Sequence, residues 1–368
     1  MHRYGAGLAT DPDVERAVAD AVAAALEPLA GARPDLLVVF ASEAYGGDAA
    51  RAGPLAFDEA APRTLIGAVA ANGVIGAGRE LEHGRAVSVL AASFPEAAIE
   101  VFHSLADLGG VPEVSPDALT VLLADPYTFP TDALIEHLAP EQPLVGGLAG
   151  GGGAGMARLF RDGGVLRAGA VGVVLPAALC APLVSQGCRP IGPELVVTAA
   201  IGNALLELAG TPALEKIEEV FGTLSAADQA LARNGLLSGL VIDENRPEYG
   251  IGDYLVRVLL GADRERGAVL IGDVPRVGQT FRLHVRDEAS ASAELEHVLR
   301  AAPAGRGALV FSCNGRGRNL FSTDDHDAGL VEELLGVPAA GLFCQGEIGP
   351  VGGRNHLHGF TATIALLS

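Results

Sequence analysis

The chain has 368 residues, with 45 Asp and Glu against 25 Lys and Arg, for a net charge of −20. Such a surface repels phosphate backbones, and no polybasic cluster offers anionic lipid a foothold, so nucleic acid and membranes are not expected partners. Hydrophobic residues make up 49% of the chain, enough for a large core, and the length favours two domains or one duplicated unit.

With no Trp, 12 Phe and 49 Gly, the core is built from small aliphatic side chains with close backbone approaches. Lys216 is the single lysine, and the other cations are arginine. That bias belongs to a GC-rich genome and points to a bacterial source. The cysteines (Cys180, Cys188, Cys313, Cys344) show no CxxC spacing, so reduced thiols are expected in place of a zinc knuckle or redox pair. Acids at 11, 13, 15 and 20 argue against a signal peptide. The longest apolar run, 168–184, is broken by Pro176 and Pro182 and is too short to cross a bilayer. The expected location is the cytoplasm.

In chain order, the first helix is capped by Thr10 or Asp11, has Pro12 in its first turn, and repeats Val14, Val18, Val22 and Leu26 at helical spacing. A buried strand over 36–40 ends in Ala41-Ser42. A helical or irregular stretch leads to a strand at 64–67, and further strands follow at 86–92, 97–103 and 119–124. A helix spans 131–138, and a strand at 144–145 runs into a glycine cluster reaching Gly155. Residues 157–168 read as a hairpin turning at Asp162-Gly163-Gly164, and 169–175 continues the sheet. The stretch 204–235 keeps the helical period and reads as a hinge between halves. Strands resume at 236–242, 254–260 and 268–272. Residues 280–286 alternate Phe281, Leu283 and Val285 with Arg282, His284 and Arg286, a half-buried strand with Arg and His on one face. Helices at 290–299 and 325–335 alternate with strands at 308–311, 339–343 and 360–367.

One internal echo organises this list. Residues 38–42 (VVFAS) resemble 309–313 (LVFSC), and 72–76 (NGVIG) resemble 345–349 (QGEIG). Each pair is about 30 residues apart, room for one crossover helix. The expectation is an α/β fold of two pseudo-duplicated halves, with mixed sheets covered by helices, layered α/β/β/α, and a shared site between them.

The C-terminal third carries the chemistry. The run 311–318 (FSCNGRGR) begins as an apolar strand and breaks into Gly and Arg, where strand tips line ligand crevices. The run 343–355 (FCQGEIGPVGGRN) repeats the arrangement, with glycines that admit a ligand to the backbone. His356 and His358 share one face by period-2 spacing. Gly150-x-Gly152-x-x-Gly155 matches a dinucleotide fingerprint, but a hairpin follows it and no acid stands about 20 residues on, so nucleotide binding is not expected.

These runs, with His326-Asp327 and 357–363 (LHGFTAT), resemble the C-terminal half of FIST (F-box and intracellular signal transduction) proteins. The runs 73–84 (GVIGAGRELEHG), 144–153 (LVGGLAGGGG) and 184–193 (VSQGCRPIGP), with Gly202-Asn203 after it, resemble the N-terminal half. Residues 252–257 (GDYLVR) and 277–287 fit between them, so the resemblance covers the whole chain. It implies an N-terminal domain over 1–226 and a C-terminal domain over 227–368. It implies a small-molecule-binding sensory domain of signal transduction, with amino acids as the ligand class and no cofactor. Its output would pass through a separate signalling protein or self-association into a homo-oligomer. Ala68 stands where many relatives carry a cysteine, which weakens any role for a thiol in the N-terminal half.

On that reading Arg316 or Arg354 clamps a ligand carboxylate and Glu347 accepts from its ammonium. Asn314, Gly346 and nearby backbone amides orient it, and Arg257 and Arg286 are further candidates. A structural alternative makes Arg316 and Glu347 an internal ion pair. Cys313, His356 and His358 join the binding set. They also carry the enzyme alternative: a thiol nucleophile at Cys313, or a metal held by the two histidines with Cys344 or Glu347. His326-Asp327 reads as the start of a helix, with Asp325 or Asp327 near its positive end.

Overall fold

The computed structural model describes residues 2–94, 97–113, 115, 117–139, 142–150, 153, 155–250 and 252–368. Gly151, Gly152 and Ala154 of the glycine cluster lie outside them. The chain forms two compact units, Met1–Ser185 with Leu295–Ser368, and Gln186–Glu294.

The larger unit opens with β1 (Arg3–Ala9), α1 (Val14–Leu26), β2 (Leu36–Ser42), α2 (Ala52–Ala60) and β3 (Thr64–Ala70). The short hairpin β4 (Val74–Gly76) and β5 (Arg79–Leu81) follows, then β6 (Val87–Ser93). The first strand was not legible as one. Gly5 and Gly7 belong to it because a Cβ there would lie 2.2 and 2.0 Å from the Ala25 and Ala21 carbonyls of α1. The helix cap also differs from expectation: Asp13 caps α1, its side chain accepting from the Glu15 N–H.

The same succession then recurs. Strands β7 (Glu100–Ser104) and β8 (Ala118–Ala124), helix α3 (Thr131–His137) and β9 (Leu144–Leu148) precede the hairpin β10 (Leu159–Arg161) and β11 (Gly164–Leu166), and β12 (Ala170–Pro176) closes the segment. It recurs again from β13 (Cys180–Ser185), where the second unit interrupts it.

That unit is an antiparallel sheet with two helices. It runs β14 (Arg189–Ile201), β15 (Ala204–Leu208), β16 (Thr211–Pro212), α4 (Ala213–Thr223), α5 (Ala226–Asn234), β17 (Leu237–Val241), β18 (Tyr254–Asp263), β19 (Ala268–Ile271) and β20 (Thr280–Val285). Because β14 pairs with both β20 and β15, the sheet closes on itself around Val197, Leu205, Val269, Ile271, Phe281 and Leu283. The expected helical hinge over 204–235 is therefore corrected: it begins as strand, and its two helices pack on this sheet. The face assignment of 280–286 is also corrected at His284. Gly239 leaves room for the ring, which packs 4.7 Å from Tyr254, and burial pushes its pKa down to about 4.

Helix α6 (Glu288–Arg300) leads back to the first unit, which resumes with β21 (Gly307–Cys313), α7 (His326–Leu335), β22 (Ala339–Cys344), the hairpin β23 (Glu347–Val351) and β24 (Arg354–His358), and β25 (Ala362–Leu367).

The repeat is therefore threefold, where the sequence showed two copies. Each copy pairs a central strand in parallel with the strand after its helix: β2 with β3, β8 with β9, β21 with β22. Each returns along an antiparallel strand: β6, β12 and β25. Each lends its hairpin to another copy's sheet, β4 pairing with β22, β10 with β3, and β23 with β9. One residue marks the correspondence. Gly67, Gly146 and Gly341 pair with Val39, Leu122 and Val310, and a Cβ on any of them would lie 2.0, 1.9 and 2.0 Å from that partner's carbonyl oxygen. The middle copy escaped the sequence comparison because its hairpin bears no resemblance to the other two.

The three six-stranded sheets of this unit share one core, in which Phe40, Val121, Leu123, Phe311 and Leu342 meet. Helices back each sheet on its other face: α1 and α2, α3, and α6 with α7. This arrangement takes the place of the four-layer stack expected from the sequence.

Candidate functional site

The threefold repeat supplies an internal control, because each functional position has two counterparts in the same chain. At the end of the central strands stand Ser42, Asp125 and Cys313, whose N–H groups donate to Ala86, Gly169 and Thr361 at 2.9, 2.9 and 3.0 Å. The first pair of each hairpin is Val74 with Leu81, Leu159 with Leu166, and Glu347 with His358. Two copies fill this position with aliphatic pairs, as a buried hairpin base requires. The third buries a carboxyl and an imidazole there. The fold does not demand them, so Glu347 and His358 are the residues to explain.

Glu347 is fully buried. Its Oε2 accepts from the Thr361 N–H at 3.2 Å, while Oε1 has no hydrogen-bond partner. Burial pushes its pKa well above the ordinary carboxyl value, with partial relief from the Thr361 N–H, the Cys313 thiol and the Arg316 charge. His358 is buried beside it, and its Nε2 lies 3.0 Å from the Gly349 carbonyl. A carbonyl only accepts, so the proton sits on Nε2.

Cys313 closes the group. It is paired across the parallel strands with Cys344, and its sulfur lies 3.4 Å from the Gly315 N–H. Burial, then the Glu347 charge, pushes the Cys313 thiol up to about 12, and burial raises Cys344 as well. Both are thiols at neutral pH, which removes the activation a nucleophile needs. Among the described residues, no three His, Cys, Asp or Glu side chains are grouped as a metal site requires. Asn314, Gln345 and Gly359, the chain neighbours of Cys313, Gly346 and His358, are exposed. The turn from β24 to β25 lies over the carboxyl, with Phe360 at φ +66°, a conformation bulky residues rarely adopt.

Arg316 does something else. It is fully buried, and its Nε and Nη2 grip Asp327 Oδ2 and Oδ1 at 2.7 and 2.8 Å. The clamp expected for a ligand carboxylate is thus filled by the chain's own carboxylate, and the ion pair it makes is with Asp327, where the structural alternative named Glu347. Ser312 Oγ also donates to Asp327 Oδ2 at 2.7 Å, and His326 Nδ1 lies 2.9 Å from Oδ1. Phe321 stacks on His326 with ring centroids 3.4 Å apart, and the Arg316 guanidinium lies 5.2 Å from the Phe321 ring centre. The Arg316 charge holds the Asp327 carboxyl well below the usual carboxylate range against the opposing effect of burial.

The helix after this turn begins at His326, as expected, but its N-terminus is satisfied from far away. Glu80 Oε1, on β5 of the first copy, accepts from the Asp327 and Ala328 N–H groups at 2.7 and 3.0 Å. Burial and then the Asp327 charge push Glu80 up to about 8. Sequence reasoning missed Glu80. The run 73–84 contained it, but nothing local shows that its hairpin crosses to another sheet.

Of the residues singled out from sequence, Cys313, Asn314, Gly346, Glu347 and His358 come together. His356 is half-buried on the same hairpin, its ring 5.9 Å from that of His358. Arg354 is exposed at the hairpin's far end, paired with Val351, about 13 Å along the strand from Glu347 at 3.3 Å per residue. Arg257 and Arg286 belong to the second unit, where Arg257 pairs with Asp273 at 3.4 Å.

Among the described residues, no helix is long and apolar enough to cross a membrane. The FIST N domain model matches residues 35–211 and the FIST C domain model residues 213–350. The chain is 44% identical to an uncharacterized protein of Mycobacterium tuberculosis (strain ATCC 25618 / H37Rv), covering 99% of each. It is 43% identical to an uncharacterized protein of Mycobacterium bovis (strain ATCC BAA-935 / AF2122/97), covering 99% of this chain and 98% of the relative. With the two models together matching most of residues 35–350, the chain belongs to the FIST family of signal-transduction sensory domains.

Proposed function

We propose that this protein senses a small polar metabolite, with amino acids as the ligand class, and that it binds the metabolite at the corner formed by Cys313, Glu347, His358 and Thr361. One observation carries the reading: Glu347 is a fully buried carboxyl with an unpartnered Oε1, where the equivalent residues of the other two copies are Val74 and Leu159. Burying an unsatisfied polar group costs about 1–3 kcal/mol by mutational measures, and a sequence retains that cost where function needs the group. The setting suits binding better than turnover, since both nearby thiols are held protonated. The exposed Asn314 and Gln345 nearby supply orienting polar groups, and the Arg316–Asp327 pair fixes the turn behind Cys313. In this reading the signal passes to a separate protein or through self-association.

The test is a thermal-shift screen of free amino acids against the native protein and Glu347→Leu, which installs the residue of the second copy. A ligand at a hundredfold excess over its Kd adds about 2.7 kcal/mol to the stability of the form it binds. Native protein should show a ligand-dependent rise in Tm that Glu347→Leu lacks. An equal rise in both places the ligand elsewhere.

A further inference from the structure

We propose that the outer face of strands β14, β15, β19 and β18 is a docking surface for a second copy of this chain. The inference takes the self-association route of the sensory reading above and needs nothing from the corner at Glu347.

The argument begins with which side chains turn outward. Leu205, Val269 and Ile271 pack inside the smaller unit, and Leu259 packs against them. Side chains alternate along a strand, so Ala204, Leu270, Val258 and Leu260 point the other way. The pairing aligns them: Ile201 with Ala204, Ala204 with Leu270, and Leu270 with Gly261, the residue after Leu260. A Cβ on Gly272, two residues past Leu270, would lie 3.4 Å from Val258 Cγ2, which puts Val258 on the same face. The result is one apolar row across four strands, about 14 Å wide at the usual strand spacing.

An antiparallel sheet with one face in water carries polar residues there. This one exposes Ile201 by 66%, Leu260 by 58% and Val258 by 41%. Of the nine large hydrophobic side chains exposed among the described residues, six belong to this unit, which holds less than a third of the chain. A contiguous apolar face of this kind marks an association surface.

Charge selects the occupant. Residues 189–212 and 254–271, which carry the four strands, hold four arginines and four acids, and are neutral in a chain of net charge −20. Two copies repel one another least where these segments meet. Beyond Leu260, the β18–β19 turn exposes Arg264, Glu265 and Arg266. Asp263 Oδ1 holds it in shape, accepting from the Glu265 and Arg266 N–H groups at 3.1 and 3.2 Å. Both signs on one turn suit a two-fold interface, where a patch must complement itself, and an apolar centre with a charged rim is the anatomy of such an interface. An acidic partner would need a positive surface, a basic one would settle on the acidic remainder of the chain, and anionic lipid is repelled.

The test is sedimentation velocity on the full chain without ligand, up to about 100 μM. Native protein should run as a dimer. Raising salt from about 0.05 to 0.5 M should tighten it, because screening removes the repulsion between the acidic remainders and leaves the apolar contact. Leu260→Glu and Ile201→Glu should each weaken the dimer about 100-fold or more, with circular dichroism and Tm unchanged. Leu105→Glu, at an exposed leucine of the larger unit, should dimerise as native protein does. A native chain that stays monomeric overturns the proposal, and flotation of that monomer with phosphatidylcholine vesicles would assign the face to lipid instead. A dimer that survives both substitutions has its interface elsewhere and overturns it too. Because mass is read without ligand, either failure leaves the sensory reading intact.

Discussion

Arg316 and Asp327 lie eleven residues apart, are both fully buried, and are joined by two parallel hydrogen bonds of 2.7 and 2.8 Å. Removing one partner of such a pair leaves an uncompensated buried charge and costs about 3–5 kcal/mol. Arg316→Ala and Asp327→Asn should each lower chemical-denaturation stability by that amount. The pair Arg316→Met with Asp327→Leu should recover most of it, because packed apolar groups replace the charges without desolvation. If the double variant is as unstable as the singles, packing and not the pair dominates. Since the Asp327 pKa is depressed on folding, its contribution is complete above the unfolded value near 3.9 and disappears as pH falls below it.

The neighbouring acid has the opposite pH dependence. Glu80 is raised to about 8, so its ionisation is disfavoured in the folded state and the protein loses stability as pH rises from about 4.5 through 8. Glu80→Gln keeps a carbonyl acceptor for the Asp327 and Ala328 N–H groups while removing the titration. It should flatten stability against pH in that window. Glu80→Ala should cost about 1–3 kcal/mol at pH 5 by leaving those donors unpaired, and the difference from native protein should shrink as pH rises. Urea midpoints at pH 5, 7 and 8.5 separate the two effects, and identical pH slopes in native protein and Glu80→Gln would contradict the assignment.

Glu347→Leu should stabilise the protein by about 1–3 kcal/mol at pH 7 while abolishing ligand response, the opposite of what a structural residue does. Its carboxyl is raised on folding, so the gain should grow as pH climbs above about 4.5. A destabilised variant would show that the carboxyl holds the hairpin in place.

The threefold repeat makes its own prediction. Ala at 67, 146 or 341 would press a Cβ into the facing carbonyl at 2.0, 1.9 and 2.0 Å. Backbone atoms on a central strand cannot step aside, so each variant should lose about 3 kcal/mol or more. Loss at one position alone would break the equivalence of the copies.

Much of this was legible before any coordinates. The parallel strand–helix–strand units around 36–70 and 307–344 stood out because apolar runs ended in polar tips, and Cys313 and Glu347 were chosen on that ground. Arg316 misled because its partner, Asp327, read only as a residue near a helix start. The hairpin exchange was invisible, since three-residue strands such as β4 and β10 carry no period, and pairing between residues as far apart as Leu159 and Ala68 or Leu342 and Val74 leaves no local trace. The middle copy hid for the same reason, and with it the comparison that isolates Glu347.

The most direct measurement is a co-crystal structure with the amino acid that gives the largest thermal shift. The account predicts its density within hydrogen-bond distance of Glu347 Oε1, with nothing at Val74 or Leu159. Well-ordered ligand bound elsewhere, with Glu347 still enclosed and unpartnered, would contradict it.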